Sequence, residues 1–167
     1  MPGTLHVLHG YIGAGKTTLA RRLERELPGI RFSADEWVVA LYGTDPPESE
    51  YRAAQERVRG LMETCWWRCL ELGQHVILDG GAWKRSERDH LRAVAAEVGA
   101  DFRLYALSLP DEEALARVLA RNEREPGHLY VTENTYHVLR AQFEPLEADE
   151  GAGVVCLAVE EVEASNR

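Results

Sequence analysis

Two kinds of segment alternate along the chain. Short apolar runs bounded by Gly, Asp or Pro predict buried strands. Five runs meet this description: Thr4–His9, Ile30–Ala34, His75–Asp79, Phe102–Leu109 and Gly153–Val159. The longer segments between them repeat apolar residues every three or four positions, which predicts amphipathic helices.

The helical segments follow the strands in regular succession. Leu19, Leu23 and Leu27 form one apolar stripe in the first of them. The segment Ser86–Asp89 has the pattern of a capping box at the start of the fourth. The predicted helices span 17–27, 36–42, 48–72, 86–98, 111–124 and 132–144.

Strands that alternate with helices at this spacing specify a parallel sheet covered by helices on both faces. The fold class is therefore α/β, with three layers in the order α/β/α. A length of 167 residues fits a single domain. We see no internal repeat, low-complexity tract or Ser/Gly linker that would divide it.

Composition narrows the possible partners. The chain is 45% hydrophobic and 28% charged, values typical of a globular protein. Its 28 acidic and 19 basic residues give a net charge of −9, which repels phosphate backbones and anionic lipid. No apolar run approaches the roughly 18 residues of a membrane span, and the N-terminus lacks a signal-peptide pattern. We expect a cytoplasmic protein with no membrane partner.

The spacing of the cysteines and histidines does not predict a metal site. Cys65, Cys69 and Cys156 cannot all pair, and none has a partner at zinc-ligand spacing, so we expect reduced thiols in or near the core. His6 and His9 alternate in the first strand and are expected to be satisfied there.

Several large or basic side chains can be explained by packing or solvation without a bound ligand. Of Trp66 and Trp67, in the middle of a helix, at least one is expected in the core. Three basic residues at the start of the fourth helix form either a solvated face or a contact for an anionic acceptor: Lys84, Arg85 and Arg88.

The segment GYIGAGKTT at 10–18 matches G-x-x-x-x-G-K-[ST] without a mismatch. Its glycines allow backbone N–H groups to turn inward around an anion, at the positive end of the following helix. Lys16 can reach the β- and γ-phosphates of a nucleotide, and the Thr17 hydroxyl can hold Mg²⁺. The third glycine of a dinucleotide motif is absent, because Thr18 stands there.

A buried strand enters this segment and an amphipathic helix leaves it, which is the context that the motif requires. We therefore predict ATP binding, with Mg²⁺, by one continuous segment. Its nucleotide-binding residues are Gly10, Gly13, Ala14, Gly15, Lys16, Thr17 and Thr18.

Absent motifs narrow the class further. The chain contains no Asn/Thr-Lys-x-Asp sequence, the motif that recognises guanine, which disfavours a GTPase. Asp79 ends an apolar strand, but Gly80 follows it where motor-type ATPases place a water-activating Glu. A compact kinase remains, in which an acceptor hydroxyl replaces water.

Four landmarks resemble the small P-loop kinases of the nucleoside, shikimate, chloramphenicol and polynucleotide kinase group. They are GYIGAGKTT at 10–18, SADEW at 33–37, VILDGGAWKRSERD at 76–89 and RVLARNER at 117–124. The chain is most similar to the zeta-toxin-like or AAA-like ATP-binding members. This resemblance implies a P-loop NTPase fold with a five-stranded parallel sheet in the order 2-3-1-4-5. We expect one kinase domain over 1–167, in which the Arg-rich stretch at about 117–130 is a mobile lid.

The resemblance implies that Asp35 accepts the proton of the acceptor hydroxyl. The alternatives are a helix N-cap or a metal contact, and Glu36 is the reserve candidate for the base. Polynucleotide kinases carry an Arg shortly after this Asp, whereas Trp37 and two valines follow here. That departure counts against a nucleic-acid acceptor.

The third landmark implies residues of the acceptor site. Asp79 would bind Mg²⁺ with Thr17, through water, or orient the acceptor; the alternative is a solvated carboxylate at a strand end. Gly80 and Gly81 resemble the turn that lies against the acceptor in shikimate-type kinases. Trp37 and Trp83 each follow a strand end and are candidates for the pocket wall. The substrate-binding set is Asp35, Trp37, Asp79, Gly80, Gly81 and Trp83.

Three arginines fall on one side of the fifth helix. In related kinases such arginines cover the nucleotide, which implies that Arg117 lies over the adenine. Arg121 and Arg124 would clamp the phosphates during transfer. The alternative is a solvated face of ion pairs with neighbouring glutamates.

The sequence thus predicts an ATP-dependent phosphotransferase that acts on a hydroxyl of a small molecule, such as an antibiotic or a nucleoside-like compound. Its catalytic residues would be Lys16, Asp35, Arg121 and Arg124. One alternative is a polynucleotide 5′-hydroxyl kinase. Another is an ATP-binding regulatory module with slow hydrolysis.

Overall fold

The computed structural model describes residues 2–125, 127–151 and 153–158. Its elements in chain order are β1 Thr4–His9, α1 Lys16–Glu26, β2 Gly29–Phe32, α2 Ala34–Tyr42, α3 Glu48–Glu71, β3 His75–Leu78, α4 Arg85–Glu97, β4 Asp101–Ser108, α5 Asp111–Arg124, α6 Glu133–Arg140 and β5 Val154–Ala158. A 3₁₀ turn covers Ala148–Glu150. No described helix is both long enough and apolar enough to cross a bilayer.

The five strands form one parallel sheet in the order β2-β3-β1-β4-β5, which confirms the predicted topology. β1 is the central strand, with Leu5 opposite Val76 of β3 and Phe102 of β4. Every residue of β1 is buried. The carboxyl ends of the strands therefore meet at one edge, where β1 leads into the glycine-rich segment.

Helices cover the two faces of the sheet with separate apolar clusters. On one face, Leu19 and Leu23 of α1 pack with Leu8 of β1 and Tyr105 of β4. On the other face, α3 and α4 pack against β1 and β3. Their cluster includes Trp66, which is 4% exposed and so confirms the expected core tryptophan.

The histidines of β1 are buried and hydrogen-bonded, as expected. His6 Nδ1 lies 2.9 Å from the Tyr105 hydroxyl, and His9 Nδ1 lies 3.0 Å from the carbonyl oxygen of Ala82. Each ring therefore has a partner inside the protein.

Several predicted boundaries are wrong, mostly where a helix begins or ends. α4 begins at Arg85 after Lys84, with no side-chain cap, so the capping box is absent. α6 ends at Arg140 instead of 144, although the Thr132 side chain does cap it by accepting from the Thr135 N–H. Val159, predicted in the last strand, lies outside the described residues.

The expectation that the thiols lie in or near the core is wrong for Cys65 and Cys156. Both are exposed, and all three cysteines are free. α3 buries Val58, Met62 and Trp66 at spacings of four, and Cys65 is rotated off that stripe by one residue. Cys156 lies on β5, an edge strand.

Candidate active site

The glycine-rich segment turns between β1 and α1 and needs glycine at particular positions. Gly13 and Gly15 both have φ of +85°, in the left-handed region. A Cβ on Gly13 would lie 2.5 Å from the carbonyl oxygen of Ala114, and one on Gly10 would lie 2.7 Å from that of Leu107. This loop therefore packs directly against α5 and β4, with its backbone too close for side chains.

Lys16 begins α1 and is surrounded by charged groups. Its Nζ donates to the Tyr11 carbonyl oxygen at 2.7 Å. Burial lowers the pKa of Lys16 to about 8; Asp35 and Asp79 oppose this effect, and the Arg121 charge adds to it. The four predicted residues Lys16, Asp35, Asp79 and Arg121 therefore lie within electrostatic reach of one another.

Thr17 and Asp79 place two side-chain oxygen atoms next to each other. The Thr17 hydroxyl donates to Asp79 Oδ1 at 3.1 Å. Asp79 is 6% exposed, so it is not the solvated strand-end carboxylate of the alternative. Burial raises its pKa, against the opposing effect of Arg31 and Thr17.

This pair fits Mg²⁺, which usually takes one or two protein oxygens together with substrate phosphates. Among the described residues there is no group of three or more His, Cys, Asp or Glu that could hold a metal by itself. The chemistry of the pair thus suits a cation that arrives with a nucleotide.

Arg31 of β2 is a site residue that the sequence did not reveal. Its Nη1 donates to Asp79 Oδ2 at 2.8 Å, and its Nη2 donates to Glu36 Oε2 at 2.8 Å. A third bond joins its Nε to Glu24. The only available signal was a single charged residue inside a short apolar strand.

Asp35 lies in the first turn of α2 and is exposed. The N-cap is Ser33, whose Oγ accepts from the Glu36 N–H, so the N-cap alternative for Asp35 is wrong. Asp35 Oδ1 accepts from Gln55 Nε2 at 2.9 Å. Gln55 belongs to α3 and was also missed, because no local motif surrounds it.

Glu36, the reserve candidate for the base, is already engaged. It accepts from both Arg21 and Arg31. Burial raises its pKa, but these hydrogen bonds outweigh that effect and the pKa is lowered. A carboxylate held by two arginines is a poor proton acceptor, which favours Asp35.

The turn after Asp79 supports the glycine-rich segment. Gly81 O accepts from Gly10 N at 3.4 Å, and Trp83 Nε1 donates to Gly10 O at 3.1 Å. A Cβ on Gly81 would lie 2.0 Å from Trp83 Nε1, so this approach requires glycine. Gly80 has open space where a side chain would be. The Trp83 indole therefore packs on the glycine-rich loop. Trp37 lies on α2 against Phe32 and is 37% exposed.

The three arginines of α5 have different surroundings. Arg117 donates to Glu113 at 3.0 Å, which is the ion pair expected of a solvated helix face. Arg124 is exposed at the end of the helix. Arg121 Nε is buried and has no hydrogen-bond partner among the residues that the structure describes. A buried donor left unpaired is costly, so Arg121 is the member of the three that an anionic ligand would satisfy.

Neither reading of the basic cluster at the start of α4 holds for Arg88. Its side chain is fully buried and bonds both carboxylate oxygens of Glu150 at 2.7 Å. Arg85 is paired with Glu147 and Asp149 at the surface. These two arginines bind acidic residues of this chain.

The sheet order, the glycine-rich loop and the Lys16–Thr17 helix start define a P-loop NTPase fold. The chain belongs to the AAA domain family, whose model matches residues 5–146. No curated protein matches the chain.

Solved structures with low sequence identity share the fold. A candidate kinase from Chloroflexus aurantiacus J-10-fl has a TM-score of 0.75 at 16% identity, over 99% of this chain and 98% of its own. Kti12 of Chaetomium thermophilum, solved in complex with ADP-AlF3, has a TM-score of 0.72 at 19% identity, over 97% and 96%. A gluconokinase from Sinorhizobium meliloti 1021 has a TM-score of 0.63 at 19% identity, over 96% and 87%.

Proposed function

We propose that this protein transfers the γ-phosphoryl group of ATP to a hydroxyl group of a small molecule. The observation that carries the proposal is the convergence of Lys16, Asp35 and Asp79 beside a P-loop, with the unpaired Nε of Arg121 close by. Hydrolysis is disfavoured, because Gly80 provides no carboxylate to activate water. The net charge of −9 favours a small acceptor over a nucleic acid.

The chain supplies both binding and proton transfer. Backbone N–H groups of the loop and Lys16 bind the phosphates. Arg117, which is paired with Glu113 in the free protein, would turn to cover the base when nucleotide binds. Thr17 and Asp79 would hold Mg²⁺, which when bound neutralises charge on the β- and γ-phosphates. Arg121 and Arg124 stabilise the charge that develops during transfer. Residues 127–130, the described part of the predicted lid that follows α5, would close over the nucleotide and exclude water.

Asp35 carries the acceptor chemistry. The acceptor hydroxyl gives its proton to Asp35 while its oxygen bonds to the γ-phosphorus. The bond between that phosphorus and the β–γ bridging oxygen breaks, and ADP leaves. Asp35 suits this role because it is exposed and, among the described residues, only its Oδ1 accepts a hydrogen bond.

Asp35→Asn tests this proposal. We expect phosphoryl transfer to fall by about 10²–10⁴-fold, because the proton acceptor is removed while nucleotide binding is retained. The assay measures ADP release in MgATP with panels of antibiotics, nucleosides and sugars, alongside calorimetry of ATP binding. Asp45→Asn, on an exposed loop, is the matched control. Transfer that survives Asp35→Asn, or turnover only on oligonucleotide ends, contradicts the proposal.

A further inference from the structure

Two side chains of α3 form a polar row with Asp35. Gln55 Nε2 donates to Asp35 Oδ1 at 2.9 Å and to the Tyr51 phenolic oxygen at 2.5 Å. Tyr51 and Gln55 lie one helical turn apart, and α2 packs against α3. Tyr51 is half-buried against the core, so the row is anchored at one end and open at Asp35.

The hydrogens of this row can be assigned by valence. A carboxylate only accepts hydrogen bonds, so the nitrogen of the Gln55 amide must face Asp35. The same nitrogen donates to Tyr51, which leaves the hydrogen of the phenol unused. Within the described ranges, neither the Tyr51 hydrogen nor Asp35 Oδ2 has another partner. The row therefore presents one donor beside one acceptor.

The phenol keeps its hydrogen at neutral pH. Burial, with the negative charge of Asp35, raises the pKa of Tyr51 to about 12. Because the phenolic and carboxylate oxygens bond the same nitrogen, they lie within reach of two neighbouring groups on one ligand.

We infer that Tyr51 and Asp35 recognise a polyol acceptor, in which the phosphorylated hydroxyl has a second oxygen on the adjacent carbon. This inference rests on the proposed function and specifies its acceptor. One hydroxyl donates to Asp35 Oδ2, loses its proton there and receives the phosphoryl group from ATP as ADP leaves. The adjacent oxygen accepts from the Tyr51 hydroxyl. Gln55 is a positioning residue that holds Asp35 and Tyr51 in register.

Matched pairs of acceptors test the inference. ADP release in MgATP is measured with D-ribose against 2-deoxy-D-ribose, D-glucose against 2-deoxy-D-glucose, and adenosine against 2′-deoxyadenosine. We expect at least one complete polyol to exceed its deoxy partner by about 10-fold or more in kcat/KM, since the deoxy compound leaves the phenol unpaired.

Variants separate recognition from folding. Tyr51→Phe is expected to bring the polyol-to-deoxy ratio close to one, mainly by raising KM for the polyol. Gln55→Leu is expected to lower kcat more than it raises KM, because Asp35 loses its orientation. Tyr42→Phe, at the exposed end of α2, is the matched control and keeps the wild-type ratio. If circular dichroism shows that Tyr51→Phe does not fold, the inference is tested by the polyol-to-deoxy ratio of the wild type and by kcat and KM of Gln55→Leu.

Different failures point to different conclusions. Equal use of the deoxy compounds overturns the inference, as does a ratio that is unchanged in Tyr51→Phe. The inference is also overturned if MgATP binds but no compound of the panel stimulates ADP release. The proposed function then requires an alcohol of another kind as acceptor. Absence of MgATP binding overturns the proposed function itself.

Discussion

At the residue scale, Lys16 links burial to nucleotide binding. Its charged form attracts phosphate, but burial brings its pKa down to about 8. The free protein therefore loses this charge as pH rises through 8, well below the usual range of a lysine.

We expect ATP affinity to fall as the pH rises above 8. The dissociation constant should increase by up to about tenfold per pH unit, because a proton must be taken up for binding. Calorimetry between pH 7 and 10 measures this dependence. Lys16→Met should bind more weakly and lose the dependence on pH; an equally steep profile in Lys16→Met would assign the effect to another group.

The candidate site residues that could be predicted are those with a signal in the local sequence. Lys16 and Thr17 follow from the spacing of the glycine-rich segment, and Asp79 from its place at a strand end. Arg31 and Gln55 were missed because they reach the site only through contacts between elements distant in sequence. Such contacts leave no local pattern in a single chain.

At the element scale, the Arg88–Glu150 pair joins α4 to the segment that follows α6. Arg88 donates to the carbonyl oxygens of Ala82, Trp83 and Glu144 as well as to Glu150. The same turn at Ala82 and Trp83 bonds to His9 and Gly10 beside the P-loop. One buried guanidinium thus holds the turn after Asp79 in place.

We expect Arg88→Met to destabilise the fold by about 3–5 kcal/mol, because it removes two hydrogen bonds to the buried Glu150 carboxylate and leaves Arg92 as its remaining ion-pair partner among the described residues. The double variant Arg88→Met/Glu150→Met should recover much of this loss, since no buried charge remains. Urea unfolding followed by circular dichroism measures both. Arg85→Met, three residues earlier in α4 with surface ion pairs, is the control and should shift the midpoint little. If the losses in the free energy of unfolding from Arg88→Met and Glu150→Met simply added in the double variant, the two residues would not be coupled as a buried pair.

Element identities could be predicted better than element ends. Every predicted strand and helix exists, because apolar periodicity reflects burial. Ends depend on particular caps: Ser33 closes β2 and starts α2, whereas Lys84 starts α4 without a side-chain cap. Chain pattern cannot decide between such neighbouring residues.

At the scale of the whole molecule, buried histidines make the fold sensitive to acid. Burial, with the nearby His75 and Arg103, lowers the pKa of His6 to about 4. Its imidazole also contacts Tyr105. An unfolded histidine titrates near 6.5, so between pH 6.5 and 4 the unfolded chain binds more protons.

The free energy of unfolding should therefore fall as pH drops from about 6.5 to 4, by up to about 1.4 kcal/mol per pH unit for one proton. His6→Gln should flatten this part of the profile, whereas His137→Gln, on an exposed helix face, should not. Below about pH 4.5, Glu150 adds to the decline, because the bonds from Arg88 lower its pKa in the folded protein and the unfolded chain takes up this proton first. Urea midpoints measured against pH test both parts. A profile of His6→Gln that matches the wild type would rule out His6.

The parallel sheet with helices on both faces was predictable from the alternation of strands and helices, and its strand order from the resemblance to small P-loop kinases. The order β2-β3-β1-β4-β5 places the glycine-rich loop at the centre of the sheet edge. The net charge could likewise be calculated from the composition alone. What could not be predicted is which side chains of α3 face Asp35, since this depends on how α2 and α3 pack.

Every step of the proposed reaction requires a nucleotide bound at the P-loop. Titration of MgATP into the wild-type protein by isothermal calorimetry should show one site per chain, weakened about 10- to 100-fold in Lys16→Met by loss of a charge-assisted contact. A folded wild-type chain that binds neither MgATP nor MgGTP would contradict both the nucleotide site and the proposed phosphoryl transfer.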